Sequence, residues 1–98
     1  MHEEALLRDL RRKLEEIGRD HPGERIRRVT LRVGALSHLT APALRARWAE
    51  TTARTPAESS ELVVEVGRDP HDPGALGVVL ASVALTGPSP GAKEAREA

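Results

Sequence analysis

The first three residues, Met1-His2-Glu3, place an α-amine, a backbone amide and an imidazole within two positions of each other. Nickel(II) and copper(II) favour planar or tetragonal sets of nitrogen and oxygen donors. The amine, the His2 amide nitrogen once the metal has displaced its proton, and the imidazole can close adjacent chelate rings around one such ion. Glu3 can complete or polarise that plane. His2 is also large enough to disfavour removal of the initiator methionine. The same residues read equally well as a start residue followed by the polar head of a helix, and spacing alone leaves both readings open.

The other three histidines are weaker candidates. His21 precedes Pro22 at an expected helix end, where an imidazolium suits the negative pole of the helix. His71, in "DPHDP", sits among Asp-Pro pairs that make turns unaided. His38, in "GALSHLTAP", follows an expected strand, where a loop can carry a ligand as readily as a solvated side chain. Catalysis finds little support. There is no Gly-rich phosphate loop and no HExxH, and Ser37-His38 adjacency does not build a triad.

These residues must be carried by a small frame. Ninety-eight residues allow one domain with one core. Fifteen basic and 15 acidic side chains cancel, so no global field favours nucleic acid as a partner. The absence of cysteine excludes disulfides, thiolate catalysis and cysteine-built zinc sites, and fits a reducing cytoplasm. No apolar run reaches the roughly 20 residues of a membrane span, and Glu3 and Glu4 make the N-terminus unlike a signal peptide. Trp48 is the only aromatic residue, so the core must be aliphatic.

Leu7, Leu10, Leu14 and Ile17 form one stripe of a helix over residues 4–20, stopped by "HPGE". Val29, Leu31 and Val33 alternate with Arg28, Thr30 and Arg32, which predicts a strand with one wet face. Thr40 is placed to cap a second helix that buries Leu44 and Trp48, with Leu39 stapled against its first turn. "SSELVVEVG" predicts a second strand. "ALGVVLASVALTG" predicts a third, apolar on both faces and therefore expected at the centre of the sheet. The expected fold is α+β, in the order α-β-α-β-β, with two helices packed on one face of a three-stranded sheet. Residues 1–86 form the domain, and 87–98 read as a disordered tail.

With these elements in place, a resemblance emerges. "MHE" at the start looks like the signature of the HypA/HybF family of nickel metallochaperones for hydrogenase maturation. "RRVTLRVGALSHLTAPALRARWAE" resembles that family's strand–turn–helix block, with Gly34, Leu36, Ser37, Leu44 and Trp48 on its pattern positions. "TARTPAESSELVVE" is similar to the family's "TP…EGAEL" run into a strand, and "LGVVLASVAL" looks like its closing strand. The chain departs where the family inserts a zinc ribbon of two Cys-x-x-Cys pairs. A short loop, residues 67–75, stands there instead and is expected to join the flanking strands as a hairpin. Ala35 replaces a usual acidic residue, Pro42 lies one position late, and Thr40 stands where the family sometimes has an acidic ligand.

The resemblance implies Ni(II) as cargo, no zinc, and Met1, His2 and Glu3 as donors, with His38 the candidate substitute for the missing acidic ligand. It implies a nickel-handling GTPase and the hydrogenase large subunit as partners, reached through the wet strand face or the outer surface of the first helix. The competing reading is a metal-free interaction module, in which His2 is dispensable and changes at Arg8 or Arg12 abolish function. A third is metal buffering through His38 and His71.

Overall fold

A computed structural model describes residues 2–86, with His2 described by its backbone alone. The expected tail, 87–98, lies outside the described residues, as does Met1. The element order is α1 (His2–Asp20), β1 (Arg25–Val33), α2 (Ala41–Thr52), β2 (Glu61–Val66) and β3 (Val78–Thr86), an α+β fold as expected.

The apolar stripe of α1 buries Leu7, Leu10 and Leu14, with Ile17 packed at its edge. Its acidic first turn, Glu3 and Glu4, complements the positive end of the helix. The helix starts two residues earlier than the stripe alone predicts. On α2, the Thr40 hydroxyl accepts from the Ala43 N–H (3.2 Å), and Pro42 sits within the first turn, where its missing N–H costs no helical hydrogen bond. Leu39 and Leu44 flank that cap and both enter the core. The Trp48 indole N–H donates to the Ser60 carbonyl (3.3 Å) and hydroxyl (3.2 Å), so the largest side chain buries its ring without orphaning its donor.

The sheet order is β2-β1-β3, which corrects the expectation that β3 is central. The central strand is β1, parallel to β2 and antiparallel to β3. Parallel pairing requires a crossover, and α2 supplies it. The apolar run in β3 misleads because the β1–β3 register shifts between Ile26 and Arg28 and again between Thr30 and Leu31. The second shift leaves Ala81 unpaired and switches the phase of the strand. Val78, Leu80, Val83 and Leu85 thereby all pack on the core, while Val79, Ala81 and Ser82 are exposed. A one-sided strand thus reads as a two-sided one. The first shift does the same for β1, where Ile26 joins Val29, Leu31 and Val33 in the core.

The hairpin expected between the last two strands does not form, because β2 and β3 lie on opposite sides of β1. Their connection passes the end of β1 and is tied to it. The Gly67 N–H donates to the Val33 carbonyl (2.8 Å), that of Gly34 to Gly77 (2.8 Å), and that of Leu36 to Ala75 (2.7 Å). This approach leaves no room for a side chain at Gly34, where a Cβ would fall 2.2 Å from the Ala75 carbonyl oxygen. The opposite face of the sheet stays wet and carries cross-strand pairs, Arg28–Glu61 (2.9 Å) and Arg32–Glu65 (3.4 Å).

Candidate metal site

Helix α1 begins at His2, so the first amides of the chain have no intrahelical acceptor. The His2 amide nitrogen is therefore not committed to the helix ladder. Glu3 follows in the first turn. Its carboxylate pairs with Arg47 of α2 (Oε2 to Nη1, 3.1 Å), and the same guanidinium takes Glu4 (Nη2, 2.9 Å) and Glu50 (Nε, 3.2 Å). The contacts to Glu4, foremost, and to Glu50 raise the Arg47 pKa above its ordinary value.

Glu3 also lines a concavity of about 680 Å³ together with Leu6, Ser37, His38, Leu39 and Leu76. Its far wall is the loop after β1, and two sets of bonds shape that loop. The Ser37 hydroxyl donates to the Leu39 carbonyl and accepts from the Leu39 N–H, both at 3.1 Å. The Leu36 and Gly34 amides hold the loop to the β2–β3 connection. His38 is exposed on this wall. Two of the sequence candidates, Glu3 and His38, thus share one concavity at the head of α1, although they lie on different elements. Met1 and the His2 side chain lie outside the described residues. Among the described residues, no group of three or more His, Cys, Asp and Glu is arranged to hold a metal ion.

The remaining histidines occupy structural settings. His21 lies beside Glu24 (Nδ1 to Oε2, 3.7 Å) at the end of α1. The His71 N–H donates to the Asp69 carboxylate (2.9 Å), the turn chemistry expected for "DPHDP". The residue that sequence reasoning missed is Arg47. It lies 44 positions from Glu3, and charges paired across two helices leave no periodic trace in the sequence.

The comparisons with known proteins bear on what this site handles. No curated protein and no solved structure is matched by the chain. The family described as hydrogenase/urease nickel incorporation, metallochaperone, HypA, matches residues 1–69, from "MHE" through β2. The match begins at "MHE", takes in the strand–turn–helix block and covers most of the chain, and it leads to one assignment: the chain belongs to the HypA family of nickel-incorporation metallochaperones.

Proposed function

We propose that the chain carries Ni(II) at its N-terminus, through the Met1 amine and the amide and imidazole of His2. In this reading Glu3 contributes a carboxylate and His38 an outer donor across the concavity. The observation that carries this is the shared concavity, which sets Glu3 and His38 together at the start of α1. Family membership supplies the identity of the metal, and the donor chemistry agrees with it, since nitrogen-rich planar sets suit Ni(II). A helix N-terminus repels a cation, and the acidic first turn offsets that repulsion. Delivery calls for exposed, exchangeable binding, which the open concavity beside the first turn of α1 suits.

In this account the chain passes nickel to a nickel-handling GTPase and to the large subunit of a hydrogenase. The β2–β3 connection takes the place of the cysteine zinc ribbon, so a partner reads the nickel domain alone. The chain acts as a carrier and not as an enzyme, in a cytoplasmic setting where its metal-free form is the resting state.

A second reading, a metal-free docking module, is favoured by one observation: Arg47 already satisfies the Glu3 carboxylate. Calorimetric titration of Ni(II) into tag-free protein separates the two. The carrier reading predicts one equivalent bound, lost in His2→Ala, weakened in His38→Ala and unchanged in His71→Ala. Absence of binding supports the docking module. Loss in His71→Ala with retention in His2→Ala supports buffering by the loop histidines.

A further inference from the structure

We propose that Arg47 is a built-in counter-cation for the cargo site, holding Glu3 in the metal-free chain and surrendering it when nickel loads. The inference rests on the nickel reading above and assigns to α2 a residue that sets how tightly the metal is held.

The geometry singles out this side chain. All three guanidinium nitrogens of Arg47 are engaged, each on a different carboxylate: Glu3 at 3.1 Å, Glu4 at 2.9 Å and Glu50 at 3.2 Å. It is also less exposed than its partners, at 28 % against 42 % for Glu3 and 58 % for Glu4. A planar fork held on several sides is a fixed charge rather than a wandering one. No proton can leave it at any pH the protein meets, so the guanidinium keeps its charge and yields Glu3 only to a competing cation.

Two cations then compete for one carboxylate. A nickel ion on the first two residues displaces the protons of the α-amine and of the His2 amide, so the net charge there changes little, but it sets a cation that binds carboxylates directly beside the positive pole of α1 and the guanidinium. When Glu3 turns to the metal, Arg47 retains Glu4 and Glu50, so its own charge is not stranded. This is an exchange among exposed partners, and it is therefore small in energy and readily reversed. Small and reversible is what a carrier needs. The contact also connects loading to the fold, because Arg47 joins the head of α1 to α2. A further polar tie between the helices lies two turns along α1, from Arg11 Nη1 to the Thr51 carbonyl (2.9 Å).

The test is Ni(II) affinity by direct titration in the full chain, with Arg47→Gln, Glu3→Gln and the double variant forming a cycle. Arg47→Gln removes the competing charge and leaves a shorter, polar side chain at the same helix position. It is expected to tighten nickel binding about two- to fivefold, the scale set by exposed ion pairs. In the Glu3→Gln background the same change is expected to have no effect, which a merely structural role for Arg47 does not predict. Arg47→Lys, whose ammonium cannot span the carboxylates, serves if the glutamine variant folds poorly, and is expected to shift affinity in the same direction. Unchanged or weaker binding in Arg47→Gln, or an equal effect with and without Glu3, overturns the proposal while leaving the nickel site standing. No binding by the wild type overturns the nickel reading itself, and this proposal with it.

Discussion

At the scale of single residues, the chain shows where the chemistry is flexible and where the backbone is not. Ser59 has a φ of +67°, a left-handed conformation that costs a non-glycine residue about 1 kcal/mol or more. It occupies the glycine position of the "EGAEL" pattern that residues 58–62, "ESSEL", resemble. Ser59→Gly is therefore expected to stabilise the protein by about 0.5–1 kcal/mol in denaturant unfolding, after allowing for the freer unfolded chain. No gain would mean that the turn is held by contacts stronger than its backbone preference. The site residues are legible to different degrees. Met1, His2 and Glu3 stand out because chelate chemistry depends on sequence neighbours. That Glu3 and His38 line one concavity is not legible, since it depends on how α1 meets the loop after β1. The Arg47 contact was hidden for the same reason.

At the scale of elements, each helix is read from its stripe and each strand from its alternation, until a bulge intervenes. Residues 7, 10 and 14 of α1 enter the core as the 3.6-residue period requires. Leu14 is fully buried, so Leu14→Ala is expected to cost about 2–5 kcal/mol, measurable as a lower denaturation midpoint. A cost under 1 kcal/mol would place α1 outside the cooperative core. The exposed face of α1 carries its own electrostatics. Arg12 donates to Asp9 and holds its carboxyl below the usual range, with Lys13 assisting. The folded pKa lies below the unfolded one, so the pair stabilises above the ordinary carboxylate pKa and is lost as pH falls through the lowered value. Asp9→Asn is expected to lower the neutral region of the stability profile slightly and to converge with the wild type at low pH, which flattens the acid limb, as followed by thermal unfolding from pH 6 to pH 2. An identical acid limb in both proteins would remove the pair from the account. The position of β3 escaped the sequence because a run such as "VVLASVALT" hides its phase switch. Only the pairing with β1 reveals which valines face the helices.

At the scale of the whole molecule, one core, aliphatic apart from Trp48, lies between the sheet and both helices, and the concavity lined by Glu3 and His38 opens at one rim of it. The chain contains no cysteine, so its fold does not depend on a thiolate metal site. Thermal unfolding is expected to be the same with and without excess EDTA. A fall of several degrees in chelator would reveal a structural metal bound by other ligands. Among the described residues no helix is long and apolar enough to cross a membrane. The family match and the concavity together make nickel carriage the central claim. Its most direct test is the absorption spectrum of tag-free protein titrated with Ni(II), beside an N-acetylated form. The account predicts the d–d band of a planar nitrogen site, saturating at one equivalent in the native chain and absent when the amine is blocked. Equal spectra from both proteins, or no band from either, would contradict it.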